Sequence, residues 1–277
     1  MNADELMRML KGPDEAVVFG TGFVAKMFAD ALAMHGMTDR VEAYTVTAPD
    51  GKERFAGRPV IALADLEASG FAGKLLLAVH EALADSLMPR LSQTFPGRVY
   101  WIYPCLTEML YGRPIRREDR PVRQLLAVQD PAHFWITVRY AAVCGLRDGR
   151  ETDACSRDLY IRALGIHCGK ATAAARYERL KSVAASIAED GYDPSFPILI
   201  DENGLIIDGL HRFSAACHEG LPAIPCEVVP VSAVTDRLLT ARNRLPESVL
   251  RESGMTEDEI RYLKEKAREL FEGEQTG

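Results

Sequence analysis

The sequence predicts a mixed α/β protein with two domains, and three observations support this fold class. At 277 residues the chain is longer than a typical single domain. Residues 16–102 alternate short apolar segments with helical patterns, which is typical of a parallel sheet flanked by helices. Residues 197–216 instead predict two short strands, a tight turn between them and a following helix, which indicates a second domain of α+β type.

The first hundred residues contain five strand patterns. Ala16–Phe19 is apolar and leads into Gly20-Thr21-Gly22, after which residues 24–36 have apolar side chains at helical spacing. Further strands are predicted at 41–47, 59–61, 74–79 and 98–102, with helices at 63–69 and from 80 to about 94. This half, residues 1–112, resembles the Rossmann-like modules of surface-polysaccharide and sugar-nucleotide proteins.

A candidate second nucleotide site lies in this half, at Gly20, Thr21, Gly22 and Phe23. The pattern Gly20-x-Gly22-x-x-Ala25 follows a strand and opens a helix, as a dinucleotide fingerprint requires. Thr47, however, stands where an acidic residue would hold the ribose hydroxyls, and Asp50 lies further on in a predicted turn. A domain that only packs, or that binds another nucleotide, fits at least as well as one that binds NAD. An NAD-dependent oxidoreductase or epimerase is therefore an alternative function.

Residues 113–170 are predicted to be a linker with two bridging helices. Residues 113–124 are charged and contain two prolines, which favours an exposed connector, and the acidic residues among them disfavour a nucleic-acid patch. Helices are predicted at 131–149 and 156–165. Beyond residue 230 the chain reads as helical: Thr256-x-x-Glu259 is a capping box, followed by one apolar face. That face consists of Ile260, Leu263, Ala267 and Leu270.

Composition excludes several functions. The net charge of −7 disfavours nonspecific binding to nucleic acid or to anionic membranes, since both require a basic surface. No apolar run approaches the ~20 residues that span a bilayer, and the first residues lack the features of a signal peptide. We therefore expect a cytoplasmic protein with a small-molecule substrate, and a homodimer is left open. The six cysteines lack Cys-x-x-Cys spacing, which indicates reduced thiols and not a metal site.

The most informative segment is the turn at Asp208-Gly209. A glycine between a strand and a helix allows a sharp bend that presents free backbone N–H groups, and the helix dipole adds partial positive charge there. His211 and Arg212 occupy the first turn, where acidic residues are usually favoured, and this inversion points to phosphate. The competing interpretation is structural: Asp208 caps the helix, His211 is a satisfied polar residue and Arg212 pairs with a carboxylate.

The pattern Asp208-Gly209-x-His211-Arg212-x-x-Ala215, preceded by a Pro-Ile-x-x-Asp strand and the helix at 179–191, resembles the nucleotide-phosphate motif of the ParB/sulfiredoxin superfamily. Within it, the pattern is closest to the free serine kinase branch. The resemblance covers about residues 175–230 and implies a ParB/sulfiredoxin-like α+β domain over 171–277, with C-terminal helices. Leu210 replaces the cysteine of sulfiredoxins, and Gly-x-His-Arg differs from the Gly-Glu-Arg-Arg of partition proteins.

This resemblance implies an ATP- or ADP-dependent small-molecule phosphotransferase, with CTP as a further candidate nucleotide. The acceptor would be a hydroxyl compound, such as a sugar or a serine-like molecule, in surface-polysaccharide metabolism. Asp208 and His211 would be catalytic, and Asp208 would also hold Mg²⁺. Phosphate would be bound by Gly209, Leu210, His211, Arg212 and Ser214. A noncatalytic nucleotide-sensing module is an alternative.

The acceptor pocket is expected to come from the helices upstream of the motif. Charged residues in the segments 157–162 and 176–181 are the candidates, and the catalytic glutamate of serine kinases has no placed counterpart. The candidates are Arg157, Asp158, Arg162, Arg176 and Glu178.

Overall fold

The chain forms two compact units, residues 1–112 and residues 113–277, each built on its own β-sheet. The computed structural model describes residues 1–49, 51, 53–147, 154–231 and 245–273. The mixed α/β class predicted from the sequence is confirmed at this level. No helix in these ranges is long and apolar enough to cross a membrane.

The first unit contains a six-stranded sheet with the order β3-β4-β2-β1-β5-β6. All neighbouring strands are parallel except β3, which is antiparallel to β4. The five predicted strands are confirmed, whereas the two-residue β3 gave no periodic signal that the sequence could reveal. The strands are β1 (Ala16–Phe19), β2 (Ala43–Val46), β3 (Arg54–Phe55), β4 (Arg58–Ala62), β5 (Lys74–Leu77) and β6 (Val99–Trp101).

Five α-helices flank this sheet, and its core is formed by apolar strand residues such as Val17, Leu75 and Leu77. The chain places β2 on one side of β1 and β5 on the other, so the carboxyl ends of β1 and β5 meet where the strand order reverses. The helices are α1 (Ala3–Lys11), α2 (Phe23–Met34), α3 (Leu63–Ala68), α4 (Glu81–Thr94) and α5 (Tyr103–Tyr111), with a 3₁₀ turn at Thr38–Arg40.

The second unit contains a four-stranded sheet with the order β7-β10-β8-β9, covered by helices. Its strands are β7 (Arg116–Pro121), β8 (Ile198–Asp201), β9 (Ile206–Asp208) and β10 (Ala223–Val229). Its helices are α6 (Val122–Ala127), α7 (Trp135–Arg147), α8 (Ala154–Cys168), α9 (Lys170–Asp190), α10 (Leu210–His218), α11 (Glu247–Glu252) and α12 (Glu257–Glu272).

The predicted connector at 113–124 is wrong, because Arg116–Pro121 is strand β7 and pairs antiparallel with β10. Backbone hydrogen bonds form this pairing, and an edge strand tolerates charged side chains that leave no apolar periodicity. The two predicted helices exist as α7 and α8, and both belong to the second unit. Val138, Leu159 and Tyr160 from these helices are buried in its helical core.

The hairpin and helix predicted at 197–216 are confirmed. β8 and β9 are antiparallel around a turn that contains Gly204, and α10 follows β9 directly. On α10, Phe213 and Ala216 pack against the sheet, while Ala215 packs into the helical core. Because both sides of α10 are buried, its first turn is held firmly at the end of β9.

The predicted capping box of the last helix is also confirmed, since Thr256 accepts a hydrogen bond from the Glu259 amide at the start of α12. Ile260, Leu263 and Leu270 of the predicted apolar face are buried. Ala267 is half-buried. Residues 232–244, part of the predicted helical stretch, lie outside the described residues.

Candidate functional site

The turn between β9 and α10 depends on glycine. Gly209 has φ +93° and ψ 18°, in the left-handed region that favours glycine. A Cβ at this position would lie 2.5 Å from Ile198 Cγ2, too close for any side chain without a shift of the strand. Gly209 is the N-cap of α10 and no side-chain cap is formed among the described residues, so the capping by Asp208 expected under the structural interpretation is wrong.

The first turn of α10 presents backbone N–H donors at the N-terminal end of the helix. The first helical bond runs from the Phe213 amide to the Gly209 carbonyl, at 2.9 Å. The amides of Leu210, His211 and Arg212 therefore precede the helical hydrogen-bond ladder, as the first amides of any α-helix do. Such amides are suited to an anion.

Arg212 ties this turn to the chain that enters β8. Its Nη1 donates to the carbonyl oxygens of Phe196 (2.6 Å) and Pro197 (2.7 Å). Its Nη2 lies 3.6 Å from a carboxylate oxygen of Asp208. The carboxylate pairing expected under the structural interpretation is thus present, while the Asp208 side chain stays 74% exposed.

His211, in the first turn of α10, is partly buried. Its Nε2 is 2.7 Å from the Tyr160 hydroxyl on α8. Burial lowers the pKa of His211 well below 6.5, and four arginine side chains lower it further. Burial also raises the pKa of Tyr160. Both groups are therefore uncharged near neutral pH, and they offer hydrogen bonds without charge. The four arginines are Arg139, Arg176, Arg179 and Arg212.

Arg139 brings a buried positive charge to this cluster. It lies on α7, is only 4% exposed, and stacks its guanidinium 4.4 Å from the centre of the Trp135 ring. Nη1 donates to the Trp135 carbonyl at 2.6 Å, while Nε has no hydrogen-bond partner among the described residues. Burial lowers the pKa of Arg139 to about 10, and the nearby positive charge of Arg176 contributes. Tyr160 and Asp208 act in the opposite direction.

The other predicted residues separate into those at this site and those elsewhere. Leu210 is the first residue of α10, whereas Ser214 is fully buried on the helix, behind the first turn. Arg176, a candidate for the acceptor pocket, acts electrostatically on His211. Arg162 instead pairs with Glu259, and Arg157 lies near Asp158 and over the Tyr177 ring. Glu178 is exposed on α9.

Sequence reasoning missed Arg139, Tyr160 and Arg179. For Arg139 a signal was present: a single arginine stands inside the otherwise apolar helix Trp135–Arg147, where ten consecutive residues are buried. A charged residue in a buried helix is rare unless it has a partner. Tyr160 had no comparable signal, because a tyrosine on an amphipathic helix is ordinary core.

The second predicted nucleotide site also has a strained glycine. Gly20, with φ +113°, follows β1, and its amide donates to the Thr45 carbonyl at 2.8 Å. Gly22 is the N-cap of α2, and Thr21 lies between them. The surroundings are aromatic: Phe23 stacks on His80, with ring centres 6.5 Å apart, and His80 contacts Tyr103 at 4.9 Å.

The position expected to hold ribose hydroxyls in the first unit carries no acid. Thr47 follows β2 and is exposed, and Asp50 lies outside the described residues. Among the described residues no group of three or more His, Cys, Asp or Glu side chains could hold a metal ion. The described cysteines are free thiols, as expected: Cys105, Cys144, Cys168, Cys217 and Cys226.

In comparisons with known proteins, no family model, no curated protein and no solved structure matches the chain.

Proposed function

We propose that the second unit binds the phosphate groups of a nucleotide at the start of α10 and transfers phosphate to a hydroxyl-bearing small molecule. The observation that carries the proposal is the concentration of arginine charge around His211, at a helix start with no acidic residue in its first turn. The helix dipole adds partial positive charge at the same place. An anion is the ligand that would stabilise this arrangement.

The backbone supplies the first contacts in this proposal. The amides of Leu210, His211 and Arg212 would donate to phosphate oxygens. The absence of a side chain at Gly209 lets this turn pack closely against Ile198 of β8. His211, kept neutral, would hold its proton for hydrogen bonding. Arg212 supplies charge and holds the turn in place, because two backbone carbonyls already occupy its Nη1.

Asp208 is the residue proposed for the chemistry. Its carboxylate is exposed at the start of the turn, and one carboxylate oxygen lies 3.6 Å from Arg212 Nη2. In the transfer, the acceptor oxygen bonds to the terminal phosphorus and the bond from that phosphorus to the bridging oxygen breaks. The hydroxyl proton passes to the Asp208 carboxylate, and the nucleotide leaves one phosphate shorter.

At this turn the protein would offer one carboxylate to Mg²⁺. Mg²⁺ is usually bound through one or two carboxylates together with substrate phosphates, and Asp208 would supply one carboxylate. When bound, the ion would neutralise charge on the phosphates of ATP, ADP or CTP.

At the level of fold, we propose a ParB/sulfiredoxin-like second unit and a Rossmann-like first unit. The order α9, β8, β9, α10 with the Gly209 turn supports the first assignment, and the strand order around β1 supports the second. The pairing suggests a role in surface-polysaccharide metabolism, which rests on analogy of fold.

One observation favours a noncatalytic, nucleotide-sensing module as the second candidate. His211 and Arg212 both make hydrogen bonds within the fold, to Tyr160 and to backbone carbonyls. Groups held in this way bind a ligand without having to move. An NAD-dependent oxidoreductase acting through Gly20 and Gly22 is the third, and the turn after β1 is what favours it.

Calorimetric titration of the full chain with ATP, ADP and CTP, each with Mg²⁺, tests the proposal. We expect Arg212→Gln to weaken binding of the preferred nucleotide about tenfold or more, since charged hydrogen bonds contribute about 1.5–3 kcal/mol. Arg261→Gln, an exposed arginine of α12 that pairs with Asp258, is the matched control. Equal affinity of the two variants would remove the site assignment.

Turnover separates the kinase from the sensor. With labelled ATP and a panel of hydroxyl compounds, the wild type should transfer label, and Asp208→Asn should stop transfer while nucleotide still binds. Asp258→Asn, which changes an exposed carboxylate on α12, is the control. Binding without transfer to any acceptor would favour the sensor.

A further inference from the structure

The buried guanidinium of Arg139 lies outside the Asp208–Ala215 motif and is not explained by it. Within the described residues no carboxylate forms an ion pair with Arg139, although Asp208 acts on it electrostatically. A buried charge is costly unless it is paired and hydrogen-bonded. The Trp135 ring covers one face of the guanidinium, and the Trp135 carbonyl accepts a hydrogen bond from Nη1. Neither contact supplies the negative charge that would offset the free-energy cost of burying the guanidinium.

The hydrogen bonds of the guanidinium indicate which kind of ligand it can still bind. Nη1 is used by the Trp135 carbonyl, and Nε is buried without a partner among the described residues. The remaining edge of the fork, Nε with Nη2, is the edge that binds two oxygens of a carboxylate or phosphate side by side.

The neighbours of Arg139 favour the same kind of ligand. The Tyr160 hydroxyl, protonated and held by His211 Nε2 at 2.7 Å, is a neutral hydrogen-bonding group beside the charge. Arg176 on α9 adds a second positive charge that acts on both Arg139 and His211. A carboxylate or phosphate placed here would offset the buried charge of Arg139 and accept a hydrogen bond from its Nε.

We propose that Arg139, assisted by Arg176, binds an oxyanion of the acceptor, a carboxylate or a phosphate, so that the acceptor is an anionic hydroxy compound and not a neutral sugar. The identity of this molecule as the acceptor rests on the proposed function. Asp208 acts electrostatically on Arg139 and lies 3.6 Å from Arg212 Nη2, so its carboxylate is near both proposed sites.

Three related probes test this inference: glycerol, glycerate and glycerol phosphate, each titrated into the full chain with a nonhydrolysable ATP analogue and Mg²⁺. We expect one anionic probe to bind at least tenfold more tightly than glycerol. Glycerate as the tighter probe identifies a carboxylate acceptor, and glycerol phosphate identifies a phosphorylated one. Equal binding of all three overturns the inference.

Substitution of Arg139 then tests whether this residue causes the preference for the anionic probe. Arg139→Met should abolish the tenfold preference, and Arg139→Lys, which keeps the charge and loses the fork, should reduce it. Arg147→Met, on the same helix and paired with Glu219, is the control that should retain it. A preference that survives Arg139→Met overturns the assignment.

Thermal unfolding distinguishes binding from a structural role. If Arg139 is retained for binding, Arg139→Met should leave the midpoint of the free protein unchanged or raise it, because a desolvated charge is removed. A lower midpoint together with an unchanged preference for the anionic probe indicates that the residue only supports the core, and it overturns the inference. Should Arg139→Met fail to fold, Arg139→Lys carries the binding test.

Failure of this inference is distinguishable from failure of the proposed function. If the wild type binds nucleotide but discriminates no anionic probe, only the acceptor site is wrong. If no nucleotide binds and glycerate or glycerol phosphate still binds through Arg139, the anion site stands and the phosphotransferase does not.

Discussion

The start of α2 in the first unit and the start of α10 in the second share one backbone plan but have different surroundings. In both, a strand ends at a glycine with positive φ, +113° at Gly20 and +93° at Gly209, and a helix follows without a side-chain cap. Aromatic rings surround the first turn, among them Phe23 and His80. At the second turn, four arginines act electrostatically on His211.

This difference shows that the glycine turn alone does not decide what a site binds. The turn fixes where the backbone amides lie, and the helices packed around it decide the charge that a ligand meets. In the second unit that charge comes from α7 and α9, which are distant in sequence from the motif. Experiments on each turn test whether the surrounding charge decides what it binds.

The largest effect is expected from the glycines themselves. Gly209→Ala should destabilise the second unit by about 2–4 kcal/mol, because it combines a left-handed backbone with overlap against Ile198. Gly22→Ala should cost less than about 1 kcal/mol, since its φ is −87° and nothing lies within 4 Å of the added atom. Urea unfolding of both variants measures the difference, and similar losses would refute it.

The predictable part of this molecule is its local structure. Apolar runs such as Lys74–Leu77 and the turn at Gly204 follow directly from residue pattern, and both are present. Strand β7 was missed because an edge strand needs no apolar face, and its pairing with β10 comes from backbone bonds alone. The single arginine in the apolar helix α7 was visible in the sequence, but its neighbours Tyr160 on α8 and His211 on α10 come from packing, which sequence order does not show.

The next-largest effect is expected in the pH dependence of stability, through His211 in the second turn. The pKa of His211 is lowered from 6.5 in the folded state, so the unfolded chain takes up the proton more readily. The contribution of His211 to stability is therefore complete above pH 6.5 and is lost as the pH falls below it. The loss reaches at most about 1.4 kcal/mol per pH unit.

Measuring the free energy of unfolding between pH 7.5 and about 5 checks this effect. His211→Gln should flatten the dependence, because it removes the imidazole whose protonation is opposed first by burial and then by the charges of Arg139, Arg176, Arg179 and Arg212. His35→Gln in the first unit, whose Nε2 contacts the Met109 carbonyl at 2.9 Å, is the control. Identical slopes in wild type and His211→Gln would mean that the arginine cluster does not act on that ring.

The smallest effect is expected for nucleotide binding at the first turn. Gly22→Ala should change the affinity for Mg²⁺–nucleotide less than twofold, because the first turn lies beside the stacked rings of Phe23 and His80, whereas four arginines act on His211 in the second turn. Titration at two salt concentrations adds a second readout: binding governed by the arginines of the second unit should weaken as salt rises. A tenfold loss in Gly22→Ala would place the nucleotide at the first turn. Backbone geometry, and not the charge contributed by packing, would then be the deciding factor.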